Sequence, residues 1–388
     1  MKRWTVFNSF VGGLAVAGLA TAAVAQESKL PRSMVWSAYD LGSSGYAEAS
    51  GIANALQKKY PTRIRIVPAG TSIGRLLPMT TGKVKYGYLA NEVFFAAEGL
   101  FDFADQSWGP QDLRIVLGRP ASNGLACAND VGITDVASLK GKRIGMVKAN
   151  PSVNVKVEAI LAFGNLKPSD VQTVLFGSYN AQKDAILANQ LDCFVTVTTS
   201  ANVRQIEASP RGIYWPEYPP ENKEGWERML AIMSFVAPFT ETVGAGISKE
   251  KPRQLYSYRY PMITTYASTS ADEVYNLVKA IDESFDEFKD TTGSSKNWEV
   301  KSSILPPADA PWHEGAIKYA KEKGYWNDEA QAWHDKRLER LKKVQETWDD
   351  AVESFNAMRI KKQEAGEKVD VKEAWPKWWE EARAKKLN

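Results

Sequence analysis

Met34-Val35-Trp36-Ser37-Ala38-Tyr39, then Asp40-Leu41-Gly42-Ser43-Ser44-Gly45, then a run with Ala49, Ile52, Ala53 and Leu56 at helical spacing, is the stretch that decides the fold. The first segment is short, apolar and rich in aromatic and β-branched residues, as a buried strand is. Asp40 to Gly45 breaks that pattern. Lys58-Lys59 before Pro61 then provide a cationic last turn and a stop, so the Gly/Ser loop sits at a helix N-terminus. Unpaired N–H groups and the positive end of the helix dipole converge there, where serine hydroxyls can add donors to a carboxylate or phosphate. The plainer reading is that Ser43 or Ser44 only caps the helix.

The layout recurs downstream. Arg63 to Pro68 alternates as a strand, Ala69-Gly70-Thr71-Ser72 is a loop, and Ile73, Leu76 and Leu77 begin a helix that Pro78 shortens or kinks. Val84 to Leu89 is a third strand, ending at Asn91-Glu92. Alternating strands and helices imply right-handed crossovers and a parallel sheet. Ligands of such sheets bind beyond the carboxyl ends of the strands, so the loops at Gly42–Tyr46, Thr71-Ser72 and Asn91-Glu92 should share one edge.

A second α/β unit starts after Leu113–Leu117 and Gly124–Ala128. Its strand Ile144–Val147 ends at Lys148, and the loop Ala149–Asn154 leads into a helix carrying Val157, Ile160 and Leu161. Val171–Phe176 reads as a strand, Gly177–Asn180 as a loop, Ala181–Ala188 as a helix and Leu191–Val197 as a strand running into Thr198, Thr199 and Ser200. Two lobes of one design should therefore face each other.

The chain has 388 residues, 44% of them hydrophobic and 24% charged, enough for two domains with a large core. Net charge is only +3, with both signs interspersed, which gives no reason to expect nucleic acid or an acidic membrane as partner. Met1-Lys2-Arg3, the apolar run Phe10 to Ala22 and Ala23-Val24-Ala25 read as a secretory signal over residues 1–25. A retained membrane anchor is the alternative. Export makes a disulfide between Cys127 and Cys193 permissible, but a chain this long does not require one, and two buried thiols fit equally well.

Four passages carry a family resemblance: Ser138-Leu139-Lys140-Gly141-Lys142-Arg143-Ile144-Gly145-Met146-Val147, Gly45-Tyr46, Asp272 to Ile281, and His313 to Gly324. Together they resemble the TAXI family of TRAP-associated extracytoplasmic immunogenic proteins, over about Met34 to Trp326. The resemblance implies an α/β, two-lobed type II periplasmic binding protein fold and a periplasmic receptor. That receptor would deliver a small organic anion, a carboxylate or an amino acid such as glutamate, to TRAP transporter membrane subunits. An ABC permease or a sensor kinase could use the same two lobes. The first loop is less glycine-rich than the family's, and Ser152-Val153-Asn154 replaces its Ser-Gly-Thr, so fold and role carry over better than ligand identity.

The expected organisation is lobe I over residues 26–121, lobe II over 122–235, a return to lobe I over 236–326, and a helical, Trp-rich extension over 327–388. In the extension, Leu341, Val344, Trp348, Ala351, Phe355 and Met358 form a stripe within a Gly- and Pro-free run from Asp328 to Lys362. Trp375, Trp378 and Trp379 follow Gly366. The stripe reads as packing across the chain's own lobes, with a dimer seam or a docking surface for membrane subunits as the alternative.

Expected ligand contacts are Ser43, Ser44, Gly45 and Tyr46 from the first loop, Thr71 and Ser72 from the second, and Ser152, Val153 and Asn154 from the opposing lobe. Ser178 and Thr198 are added to these. Arg75, Arg119 and Lys148 are candidate counter-charges, with Arg119 the first choice. Neither of the two histidines, His313 and His334, has a metal-ligand spacing, and no nucleophile elbow or P-loop is present. Glu92 or Asp192 could serve as general acids in an enzyme. The expectation is nevertheless a binding protein without catalytic residues, metal or cofactor, monomeric or dimeric through its C-terminal helix.

Overall fold

The computed structural model describes Met1 and residues 29–387. Apart from Met1, the expected secretory signal lies outside the described residues. Among the described residues no helix is long and apolar enough to cross a membrane.

Lobe I opens with β1 (Ser33–Ala38), α1 (Ser44–Lys59), β2 (Arg63–Pro68), α2 (Ser72–Thr80), β3 (Tyr86–Leu89) and α3 (Glu92–Glu98). Strand β1 lies between β2 and β3, parallel to both, so the loops after all three strands come out at one edge. Trp36, Tyr86 and Tyr88 are buried in this sheet, and α1 covers it with Ala49, Ile52, Ala53 and Leu56. Pro78 lies inside α2, which ends two residues later.

The segments Leu113–Leu117 and Gly124–Ala128 belong to one 16-residue strand, β4 (Leu113–Ala128). Lobe II adds β5 (Arg143–Val147), α4 (Pro151–Phe163), β6 (Gln172–Phe176), α5 (Ala181–Leu187), β7 (Cys193–Val197), α6 (Ala201–Glu207), β8 (Ile213–Tyr214), α7 (Lys223–Ile232) and β9 (Ala237–Glu241). The chain returns along β10 (Arg253–Tyr266), antiparallel to β4 over Tyr256–Tyr266 with irregularities between Arg259 and Met262 and between Ile263 and Thr264. The result is one ten-stranded sheet in the order β2-β1-β3-β10-β4-β7-β5-β6, with β8 and β9 alongside.

The register of β10 against β4 shifts between Arg259 and Met262, with Tyr256–Arg259 paired to Pro120–Asn123 and β9 paired to Arg253–Ser257. Helices α8 (Ala271–Glu283), α9 (Phe285–Phe288), α10 (Val300–Ser303) and α11 (Glu314–Glu322) then complete lobe I. The His313 ring caps α11 by accepting from the Gly315 N–H at 3.1 Å. Gly315 has to be glycine, since a Cβ there would lie 2.1 Å from the Ala271 carbonyl of α8.

The extension is a helical hairpin of α12 (Asp328–Glu364) and α13 (Val371–Lys386). Val344, Trp348, Ala351 and Phe355 pack with Trp375, Trp379 and Leu387 as a second core. Trp375 and Trp379 donate to the carbonyls of Ala104 and Gly99 in lobe I, each at 2.6 Å. The stripe is thus covered within one chain.

Cys127 and Cys193 stand opposite each other on β4 and β7 and form a disulfide. It closes a loop of 66 residues, for which chain-entropy arguments give about 4 kcal/mol. We expect unfolded, unreduced protein to show no titratable thiol, and reduction to lower the free energy of urea unfolding by roughly that amount.

Candidate functional site

Helix starts from both lobes meet at the facing sheet edges. Ser43 caps α1 by accepting from the Tyr46 N–H, Thr71 caps α2 through Gly74, and Ser200 caps α6 through Val203. The lobes are shut on each other along this line. The Ser72 hydroxyl donates to Asn150 Oδ1 at 2.6 Å, the Tyr179 N–H to the Gly70 carbonyl at 3.1 Å, and the Ile73 N–H to the Ala149 carbonyl at 3.2 Å. Asn180 bonds Asp40 and the Leu41 carbonyl, and the Thr199 and Ser294 hydroxyls meet at 2.5 Å. Gly42, at φ +83°, brings the first loop close to Asn202, where a Cβ would lie 3.3 Å from Oδ1.

Behind this seam is a tyrosine-walled chamber of about 20 Å³, whose lining includes Tyr39, Tyr179, Tyr258, Tyr260, Ser152 and Lys156. It has room for about one water molecule, so an organic guest enters only when the lobes part. Arg75 is completely buried with its guanidinium 3.6 Å from the centre of the Tyr39 ring, and it pairs with Glu92 at 2.8 Å. That pairing is incomplete: Arg75 Nη1, Glu92 Oε2, Asn150 Nδ2 and the Tyr258 hydroxyl are buried without a hydrogen-bond partner. Buried polar groups are mostly bonded, so these four atoms keep hydrogen-bonding capacity beside the seam.

Lys156 enters from lobe II. Its ammonium donates to Ser152 Oγ at 3.2 Å and lies 4.6 Å from the centre of the Tyr258 ring. Burial pushes its pKa down to about 7, opposed by the charges of Glu92 and Asp309. Asp309, which accepts from Asn91 at 2.9 Å, is pushed up to about 7, again chiefly by burial.

The expected contacts divide among several places. Ser152 and Val153 line the chamber, Ser72 ties the lobes together, and Gly45 backs onto the Tyr39 and Tyr260 rings. Ser44 is buried with its hydroxyl unpartnered, Tyr46 is half-buried against the core, and Ser178 packs on Gly70 at the seam. Thr71 is occupied as a cap. Asn154 braces its own lobe instead, bonding both the N–H and the carbonyl of Val147 at 2.9 Å.

Arg119 also has another role from the one expected. Glu48 takes it in a bidentate pair at 2.6 and 2.7 Å, and Trp298 and Thr292 donate to the same carboxylate, which leaves the guanidinium committed to lobe I. Arg119 and Thr198 line a separate cavity of about 220 Å³ with Ser122, Glu241, Ser294 and Asn297. Glu241 is held there by hydroxyls and amides, so this cavity suits an anion poorly. Lys148 is exposed, Glu92 is Arg75's partner, and Asp192 is bonded by Arg143.

Lys156 was the residue missed. Val153, Lys156, Val157 and Ile160 fall at i, i+3, i+4 and i+7, so a lysine sits in the apolar face of α4, and that was the available signal. The alternation Tyr256, Tyr258, Tyr260 likewise marks aromatic residues at strand spacing.

The profile of the NMT1-like family matches residues 41–324, which begin after β1 and include every residue lining the chamber except Tyr39. The chain belongs to the NMT1-like family. Solved structures similar to this NMT1-like protein include the periplasmic aliphatic sulphonate binding protein SsuA from Escherichia coli, at 15% identity and a TM-score of 0.39 over 80% of this chain and 86% of that one. Another is the ligand-binding component of an ABC-type import system from Staphylococcus aureus with zinc bound, at 9% identity and 0.43 over 76% and 94%. A third is the alkanesulfonate-binding protein SsuA from Xanthomonas axonopodis pv. citri bound to MOPS, at 16% and 0.39 over 76% and 92%. No protein of curated function matches the sequence. The fold is a mixed α/β one built on a single ten-stranded sheet, with the helical hairpin added at the C-terminus.

Two outcomes follow from the charges. Arg119→Met strands Glu48 in the core and should destabilise the protein by about 3–5 kcal/mol in urea unfolding, the range for breaking a buried pair. For Lys156 the folded pKa, about 7, is below the ordinary 10.5. The unfolded chain therefore binds more protons between those values, and this group makes stability rise with pH across that window. Lys156→Met should abolish that rise in denaturation midpoints measured from pH 7 to about 10.

Proposed function

We propose that this NMT1-like protein is an exported, periplasmic solute-binding receptor whose lobes close on a small organic anion, a carboxylate or an amino acid. The supporting observation is that two buried basic side chains from opposite lobes come to one tyrosine-walled interior, Lys156 of α4 lining it and Arg75 of α2 stacked on its Tyr39 wall, while Arg75 Nη1 lacks a partner. A guest touching both would favour the closed form, because only a difference in affinity between open and closed states shifts their populations. Asn150 Nδ2 and the Tyr258 hydroxyl offer further bonds. No bond in the guest needs to break, so the groups act as donors and counter-charges.

The resemblance in the Gly45-Tyr46, Asp272–Ile281 and His313–Gly324 passages supports TRAP membrane subunits as the recipient of the closed form. Pull-down with TRAP, ABC and sensor-kinase membrane domains, with and without guest, would discriminate among these recipients.

Calorimetry of the mature protein against monocarboxylates, dicarboxylates and amino acids including glutamate tests the site. Saturable binding is expected, weakened at least about tenfold in Arg75→Gln and in Lys156→Met, in line with loss of a charged hydrogen bond. A guest held with unchanged affinity by both variants, or one converted to product, overturns the reading.

A further inference from the structure

Glu98, at the C-terminal end of α3, is buried, and the arginines around it all come from the extension. Arg337 pairs with it at 2.6 Å, Arg340 at 2.9 Å, and Arg383 at 3.5 Å. Helix α3 is only seven residues long, and its first residue is Glu92, the partner of the Arg75 that stacks on Tyr39. Its two ends are thus held by two different parts of the chain.

A second route leads to the same helix. Arg337 Nη2 donates to the Asp309 carbonyl at 3.0 Å, while the Asp309 carboxyl receives Asn91 from the start of α3. His334, one turn earlier on α12, accepts from the Trp312 N–H at 3.2 Å, and Arg337 also stacks 5.0 Å from the centre of the Phe94 ring on α3. One face of α12 therefore grips both elements that carry the acidic groups acting on Lys156. We infer that the C-terminal hairpin is part of the binding machinery, with Arg337 the positioning residue that holds Asp309 and α3, and hence Glu92, in place behind the chamber's Lys156. The effect on a guest rests on the anion reading above, whereas the positioning of Asp309 does not.

The charged groups acting on Asp309 are Lys156 from α4, Arg337 from α12 and Glu92 from α3, with Asn91 as its hydrogen-bond donor. Arg337 favours the ionised carboxyl, so its loss should raise the pH at which Asp309 titrates. The experiment follows the Asp309 carboxyl by carbon NMR against pH, and the affinity for a carboxylate that binds the wild type, in Arg337→Gln, Arg337→Lys and Trp379→Phe. Arg337→Gln should move the Asp309 midpoint upward and weaken the carboxylate about fivefold, the scale of coupling from residues that do not touch a ligand. Arg337→Lys should restore most of both. Trp379→Phe, which removes the bond to Gly99 and part of the packing on Trp348 but touches neither Arg337 nor Asp309, should lower thermal stability and move neither. An unmoved Asp309 midpoint in Arg337→Gln, or an unchanged carboxylate affinity, overturns the inference. If no carboxylate binds the wild type, the anion reading fails, and the Asp309 midpoint still decides whether Arg337 positions that carboxyl.

Discussion

The antiparallel pairing of β4 with β10 is the constraint on which the rest of the molecule depends. Each strand is long enough to contribute one half to each lobe, so a single ladder of backbone hydrogen bonds joins two parallel three-stranded units into one sheet. In each unit, parallel pairing brings the loops after the strands out at the same edge. Joining the units through a shared antiparallel pair turns those edges toward each other. The facing of helix starts across a seam is therefore a consequence of strand direction, and the closed contacts from Ser72 to Asn150 and from Tyr179 to Gly70 are its local expression.

Lobe I buries several glutamates beside arginines, and the completeness of each pairing separates their roles. Glu48 is saturated by Arg119, Trp298 and Thr292, so that site is a structural fastening whose desolvation is offset by bonds already made. Glu98 is surrounded by three guanidinium groups and fastens the extension. Arg75 and Glu92 differ: each keeps an unbonded polar atom in the interior, beside a lysine that burial has brought close to neutrality. That unspent hydrogen-bonding capacity next to the seam is what supports the proposal of a guest there.

Local pattern made much of this legible. The strand, loop and helix order of Met34 to Tyr60, a serine cap at its loop and the long helix from Asp328 all rest on interactions a few residues apart in the chain. Arg119 was readable as a candidate counter-charge near the lobe crossing, but its partner Glu48 lies 71 positions away. Asn154 had the right place in the right loop, and its amide was nevertheless taken by the backbone of Val147.

Periodicity and turn chemistry thus determined, from the amino acids alone, the two α/β units, their loop-bearing edges and the helical tail, because those features arise from spacing and short-range hydrogen bonding. The tertiary structure decided how β10 runs back along β4, that Cys127 meets Cys193, and which charges face one another in the interior. Each of these depends on which distant residues share a space too small for water, and no local pattern in the chain encodes that distance.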